Sequence, residues 1–506
     1  MSSVRSVFGA IAVAIAVAAF APTASAVTVK DDQVATSFDG APIVYTLFTP
    51  DGASAASPVP AVLMTHGWGG SRQTTADGFV GKLLANGYAV LTWDQRGFGE
   101  SGGQVEVDSE QWEARDVSAL IDVLAGNPAI AKDKGDPKIG MAGGSYAGGV
   151  QWVSAAIDPR IDAIAPEISW HSLPESLFPQ DVIKLGWDTL LTAVGQTAVT
   201  NGLSPTNPAG PQLGNLDPKI YEATAESAAL GYPTDDVREF FTSRGPDYLL
   251  GRVNVPTFII QGTIDTLFPP SQAVENYQDM TRLHPRLPLK MAWYCSGHGV
   301  CSFNSGEPAH TQDAIVSWFD RYVKGRKVAT GSKFEYITQD GAWHSTTGYP
   351  APEAISTRTG SGSGVVESNG EPTAGGVIGP GATTGKTSLT IPVDSRPGRL
   401  IGAPKVTVTW SGVGTGTDAL LKAPLFFQLV NTTTDEVLGN QITPQVFITD
   451  GLVRTKSFTI EPVSYTVAPG DQIALQVVST SANYELYRGA AVLQLTNVKV
   501  DVPATS

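Results

Sequence analysis

Charge and sulfur are what this sequence has least of. Only 16 % of its 506 residues are Asp, Glu, Lys or Arg, well under the roughly 25 % of an average soluble protein. The 33 basic residues are outnumbered by 48 acidic ones, for a net charge of −15, and no basic block occurs. Phosphate backbones and anionic membranes are gripped by clustered Lys and Arg, so the composition argues against a nucleic-acid or anionic-lipid partner. Beyond the first 26 residues no apolar run approaches the roughly 20 residues that a membrane-spanning helix needs. Cysteine is nearly absent, and the two that occur, Cys295 and Cys301, lie within one seven-residue stretch. Glycine (54) and proline (35) are plentiful but stay below the share found in disordered chains. The length exceeds one ordinary domain, so two or more folded units are expected.

The chain opens with Arg5, an apolar run from Val7 to Ala21, then Pro22 and the small residues Ala24-Ser25-Ala26. Residues 1–26 therefore read as a cleaved secretory signal, too short in its apolar part for a membrane anchor. A secreted, acidic protein with no stable membrane anchor is the expectation, and its compartment permits a disulfide.

From Val59 to His298, short apolar runs alternate with longer helix-like stretches. The runs are Ala61–Met64, Ala89–Thr92, Ile139–Met141, Ile161–Ile164, Phe258–Ile260 and Leu289–Ala292. Such spacing predicts a largely parallel sheet with crossover helices, whose ligands bind beyond the carboxyl ends of the strands. The rhythm breaks between Trp170 and Val255. There Ile183, Trp187, Leu190, Leu191 and Val194 recur at helical spacing, and Val237–Phe241 reads as helical too. The pattern predicts a mostly helical insertion over about residues 171–250, either covering the site or packed on the sheet edge. After a helix through Ala314–Phe319, residues 355–387 are rich in Gly, Ser and Thr. Period-two alternation follows, in Val406, Val408 and Trp410 and in Ile473, Leu475 and Val477. That alternation predicts a sandwich of antiparallel strands. The expected fold class is thus an α/β domain with a helical cap, residues 27–328, followed by an all-β domain, residues 329–506.

Four loops carry candidate chemistry. The first apolar run leads into Thr65-His66-Gly67-Trp68-Gly69-Gly70, where main-chain N–H groups can face a ligand. The third leads into Gly143-Gly144-Ser145-Tyr146-Ala147-Gly148 and a helix-like stretch, the setting of a nucleophile elbow. The string departs by one position from G-x-S-x-G, with Ala147 in place of the last glycine. A hydroxyl needs a base to take its proton and an acid to orient that base. Of six histidines, His298 has the right context: it lies beyond an apolar run, between Gly297 and Gly299. For the acid, Asp265 leaves the Phe258–Ile260 run on a turn, and the order Ser145, Asp265, His298 is that of α/β-hydrolases. Asp94 is the rival, with Arg96 or main-chain amides as its expected structural partner. The oxyanion would be held by the main-chain N–H of Tyr146 and by Trp68. Cys295 and Cys301 bracket His298, and a disulfide would close a ring around it. A zinc site on Cys295, His298 and Cys301 is a further reading, although no fourth ligand is evident.

Gly143-x-Ser145-Tyr146-x-Gly148, the helical insertion before the acid and the C-terminal β domain together resemble the Xaa-Pro dipeptidyl-peptidase and cocaine-esterase-like serine hydrolases. Phe334–Ile337 with Trp343 and Pro350 looks like the strand entering that family's jelly-roll domain, and Ile401–Pro404 and Tyr465–Gly470 look like later landmarks. The resemblance implies an α/β-hydrolase followed by a jelly-roll-like sandwich, a small-molecule or short-peptide substrate, no cofactor and no metal. It also marks a departure: members often place a tyrosine hydroxyl in the first loop as an oxyanion donor, where this chain has Trp68. Peptide and ester substrates both remain open. A peptidase of this kind must bind an α-ammonium, for which Glu167, Glu175 and Asp181 are candidates. A non-enzymatic alternative is a secreted binding protein that uses its β domain.

Overall fold

The computed structural model describes residues 27–200, 215–303, 305–368, 389–415, 422–485 and 487–505. The expected signal, residues 1–26, lies outside them. Ten strands form the first sheet: β1 (Thr28–Thr36), β2 (Pro42–Thr49), β3 (Ala61–Thr65), β4 (Ala89–Trp93), β5 (Ile139–Gly144), β6 (Ala163–Glu167), β7 (Thr257–Gly262), β8 (Leu289–Tyr294), β9 (Phe334–Ile337) and β10 (Trp343–Thr346). Across the sheet they lie in the order 1-2-4-3-5-6-7-8-9-10, with β3 to β9 parallel and antiparallel strands at both edges.

The central strands are continuous apolar runs because helices cover both faces. Helices Glu113–Gly126, Tyr146–Ile157 and Pro270–Leu283 bury Val117, Leu120, Val150, Val153, Tyr277 and Met280 on one side. Helices Gly78–Ala85 and Ala309–Tyr322 bury Val80, Leu83, Ile315 and Phe319 on the other. Strand order reverses around β3 and β4, and the loops that bear the candidate residues leave the carboxyl ends of β3, β5, β7 and β8.

Residues 173–242 contribute helices Leu173–Leu177, Leu185–Thr200, Pro218–Leu230 and Asp235–Thr242. Their apolar faces do not pack on the sheet edge. Leu173, Phe178, Ile183, Trp187, Ile220 and Phe241 instead join Phe98, Tyr146, Leu267 and Phe268 in one buried cluster over the carboxyl ends of the strands. Each such side chain removed from water is worth roughly 1.5–3 kcal/mol, so the cap is a docked layer of the fold.

The second domain is a sandwich. One antiparallel sheet contains strands Ser356–Ser368, Gly398–Gly402, Lys405–Thr415, Arg454–Thr459, Val463–Val467 and Ala490–Ala504, and the other contains Leu389–Pro392, Lys422–Asn431, Glu436–Val437, Thr443–Ile448 and Ile473–Val478. Val406, Val408, Leu425, Phe427, Leu475 and Leu493 meet between them. Two features differ from the sequence reading. The first sheet does not end before residue 329: Phe334–Ile337 pairs in parallel with β8 and Trp343–Thr346 closes that edge, because Phe334 and Tyr336 bury against Trp293 and its neighbours. The Phe334–Ile337 segment thus belongs to the first sheet, one strand in from its edge, and is not the first strand of the sandwich. The Gly- and Ser-rich stretch also begins as a strand, Ser356–Ser368, paired along the last strand of the chain; the rest of it, from residue 369, lies outside the described residues. Among the described residues no helix is long and apolar enough to cross a membrane.

Candidate active site

Ser145 sits between β5 and the helix Tyr146–Ile157 with φ 60° and ψ −124°, a conformation that costs about 1–3 kcal/mol and persists only where the surroundings impose it. They do so here. The Ser145 N–H donates to the Glu167 carbonyl at 2.9 Å, and the Ser145 carbonyl accepts from the Gly148 and Gly149 N–H groups at 2.8 and 3.0 Å. The small residues of the string are needed for this approach: a Cβ on Gly148 would stand 2.6 Å from the Glu167 carbonyl oxygen.

The loops after β7 and β8 bring Asp265 and His298 to the serine. His298 Nε2 lies 2.8 Å from Ser145 Oγ, and His298 Nδ1 lies 2.8 Å from Asp265 Oδ2. Asp265 is wholly buried, and its other oxygen accepts from the main-chain N–H groups of Leu267 and Phe268 at 3.0 and 2.9 Å. A carboxylate so bonded holds the imidazole with its proton on Nδ1, leaving Nε2 to accept from the serine hydroxyl. The Trp187 and Phe268 rings meet the imidazole edge-on, with centroids at 5.7 and 5.3 Å. Gly297, with φ +115°, lets the histidine loop close on the acid, since a Cβ there would fall 2.6 Å from that of Asp265. Cys295 and Cys301 are joined by a disulfide across this loop. That bond removes both thiolates, which overturns the zinc reading.

The rival acid has a different task. Asp94 accepts from the Arg72 N–H at 2.6 Å and from Glu100 N–H at 3.0 Å, and pairs with the Arg72 guanidinium at 2.5 Å. Of the two partners expected for it, main-chain amides are the ones it has, whereas Arg96 pairs with Asp116 at 2.7 Å. His66 is likewise structural: Nδ1 donates to the Gly67 carbonyl, Nε2 accepts from the Gln95 N–H at 3.0 Å, and burial pushes the ring's pKa down. His171 and His284 bond Asn276 and the Leu250 carbonyl, and His310 stacks on Trp343.

The first loop approaches Ser145 through Gly67, where a Cβ would lie 3.8 Å from that of the serine. The Trp68 indole N–H is already engaged, donating to the Leu191 carbonyl of the cap at 2.8 Å. The Tyr146 hydroxyl points away from the serine as well: it accepts from the Asp108 N–H and donates to Glu113, both at 3.3 Å. Burial pushes the Glu113 carboxyl up to about 7. Neither the Trp68 indole N–H nor the Tyr146 hydroxyl is thus turned toward the serine.

Ser145 opens onto a cavity walled by Trp68, Tyr146, Trp170, Leu191, Phe241 and Phe268. The three acids expected near an ammonium lie elsewhere: Glu167 bonds the Tyr294 hydroxyl, Asp181 pairs with Arg238 at 2.6 Å, and Glu175 lines a cleft between the domains. The acid that does reach the cavity is Asp188, on the cap helix Leu185–Thr200. Among the described residues one of its buried oxygens has no hydrogen-bond partner, and burial raises its pKa to about 6. In sequence it is one polar position on an amphipathic helix, so nothing local marked it.

Solved structures share this architecture end to end. An aminopeptidase from the marine sediment archaeon Thaumarchaeota archaeon superposes with a TM-score of 0.70 at 14 % identity, covering 95 % of this chain and 97 % of its own. An α-amino acid ester hydrolase gives 0.70 at 15 % identity, covering 94 % and 96 %. A CocE/NonD family hydrolase from Staphylococcus aureus gives 0.67 at 13 % identity, covering 94 % of both chains. At these identities the agreement is one of fold. Among curated proteins, the quorum-quenching protein AidA of Acinetobacter baumannii (strain MDR-ZJ06) is 33 % identical over 112 residues, 21 % of this chain and 34 % of its own. The chain spans only about a third of the length of the curated relatives it matches. A family profile reaches further: that of the X-Pro dipeptidyl-peptidases (S15 family) matches residues 39–298, from the first strands of the sheet to the histidine after β8. With more than half of the sequence matched and the fold shared throughout, the chain belongs to the X-Pro dipeptidyl-peptidase (S15) family.

Proposed function

We propose that this protein is an exported serine hydrolase that cleaves an acyl bond through an acyl-enzyme on Ser145. The observation that carries the reading is the continuous chain of hydrogen bonds from Ser145 Oγ through His298 to Asp265, opening on an apolar cavity. Ser145 Oγ attacks the substrate carbonyl carbon while its proton passes to His298 Nε2. The oxyanion is held by the main-chain N–H groups of Tyr146 and Trp68. Collapse of the tetrahedral species expels an alcohol or amine, which takes the proton from His298, and water then releases the acid by the same steps in reverse order. Asp265 orients the imidazole and stabilises its charged form. The secretory pattern of residues 1–26 and the disulfide support export.

For the substrate, the cavity favours an apolar group. The unpartnered Asp188 oxygen favours one cation beside it, since a carboxylate in an apolar wall is costly until paired. A short peptide or amino-acid ester with a free ammonium combines the two; a neutral ester meets only the first. The test is labelling with a fluorophosphonate, followed by a panel of Xaa-Pro anilides, amino-acid esters and neutral esters. Labelling of the wild type and none of Ser145→Ala is expected. An unlabelled wild type whose hydrolysis survives Ser145→Ala would overturn the mechanism.

A further inference from the structure

The loop that carries Asp265 belongs to neither a strand nor a helix, and its carbonyls are held by side chains. Gln261 Nε2, from β7 itself, donates to the Phe268 carbonyl at 2.8 Å. Lys184 Nζ, from the cap, donates to the Thr266 and Leu267 carbonyls at 2.8 and 2.9 Å. The third donor comes from the other domain: Gln441 Nε2 lies 2.9 Å from the carbonyl of Asp265 and 3.2 Å from that of Thr263. Gln441 is 4 % exposed, so this amide is sealed in the seam between the domains.

The approach is built into the backbone of the β domain. Gln441 follows a 3-10 turn, Leu438–Asn440, in which Gly439 has φ 63°. A Cβ on Gly439 would stand 2.9 Å from the Thr263 carbonyl oxygen, so glycine lets the turn press against the acid's loop. Nearby, the Glu461 carboxylate accepts from the N–H and hydroxyl of Ser271, just past the loop, at 3.2 and 3.0 Å.

We propose that Gln441 is a positioning residue for the Asp265–His298 pair, making the β domain a working part of the hydrolase site. The inference rests on the triad reading given above. The bonds from Leu267 and Phe268 N–H orient the Asp265 carboxylate within its own loop, and Gln261 and Lys184 hold only the later carbonyls, from Thr266 to Phe268, which leaves the first part of the loop to Gln441. Gln441 grips that part on either side of Ile264. Without it, the buried Asp265 carbonyl and the half-buried Thr263 carbonyl lose this donor and the loop moves toward another partner. A displacement of about 1 Å at a reacting group can cost on the order of a hundredfold in rate.

The test uses the full chain. Gln441→Met keeps the length and removes the donor. Asn431→Leu, which breaks the buried bond between Asn431 Nδ2 and the Tyr465 hydroxyl in the same domain, is the control for destabilisation alone. Gln441→Met is expected to lower both kcat and the rate of fluorophosphonate labelling by about tenfold or more, with KM within about twofold of the wild type. Asn431→Leu should keep kcat below its melting temperature. If the Met chain does not accumulate, Gln441→Asn, one methylene too short, should show the same split in milder form. Wild-type labelling rates in the Gln441 variants, or an equal loss in Asn431→Leu, would overturn the proposal. A wild type that does not label at all would sink the triad reading instead.

Discussion

Replacing Cys295 and Cys301 by serine together separates what the bridge does for the fold from what it does for the histidine. The bridge joins positions six apart in sequence, with Cα atoms 5.5 Å from each other. Loop closure over a ring of that size is worth about 2.4 kcal/mol, through restraint of the unfolded chain. For a hydrolase domain of roughly 320 residues, with an unfolding entropy of about 2.1 cal/mol/K per residue, the melting temperature should fall by about 3–4 °C. The effect on turnover is set locally. Inside the ring lie Gly297, His298 and Gly299, and fixing the backbone of one residue costs about 1–2 kcal/mol, with glycine the most expensive. If re-forming the imidazole geometry requires ordering one such residue in each cycle, the barrier rises by that amount and kcat falls roughly 5- to 30-fold. Steady-state kinetics on an ester at 25 °C, beside calorimetry of the same samples, gives both numbers. A double serine variant with wild-type kcat and a melting temperature lower by a few degrees would refute the local argument and leave the bridge a purely structural tie.

Further outcomes follow from the geometry. Trp68→Phe removes the indole bond to the Leu191 carbonyl and keeps the main-chain N–H, so KM should rise as the cap loosens while kcat stays within about threefold; a loss of about a hundredfold or more in kcat would mean that the indole itself binds the oxyanion. Asp188→Asn should raise KM for ammonium-bearing substrates by about 10- to 100-fold, as expected for a bond to a charged group, and spare neutral esters. In the wild type the same discrimination should fade as pH falls through about 6, where Asp188 takes up a proton. Because its folded pKa lies above the ordinary 3.8, ionised Asp188 opposes folding, and its contribution to stability should improve as pH falls from about 6 toward 4. Equal loss for charged and neutral substrates would dismiss Asp188 as a specificity residue.

The features legible in the sequence are those whose causes are local. Ala61–Thr65, Ala89–Trp93 and Thr257–Gly262 are readable as buried strands because both of their faces are apolar. Ser145, Asp265 and His298 are readable as candidates because each leaves such a strand on a turn of small or polar residues, and the structure brings the three within hydrogen-bond distance. Partners distant in the chain are not readable in that way. Asp94 sits two residues from Arg96, yet Arg72 reaches it because the first loop folds back over the end of β4. Phe334–Ile337 alternates like a sandwich strand, and only the apolar side of β8 beside it decides which sheet it joins. Gln441 and Asp188 carry no local mark at all. One is a polar residue after a turn and the other a polar position on a helix, and each acquires its meaning from a surface supplied by another part of the chain.

The seam at Gln441 also sets an order of events. Chains are made from the N-terminus, so the serine is laid down at 145, the acid at 265 and the base at 298, long before the donor at 441 exists. A partly made chain therefore holds a nucleophile with no firmly aimed base. Separating the two domains would leave the same unfinished state. Incompleteness of the chain thus acts as a safety catch, released only when the turn that carries Gln441 has folded against the loop of the acid.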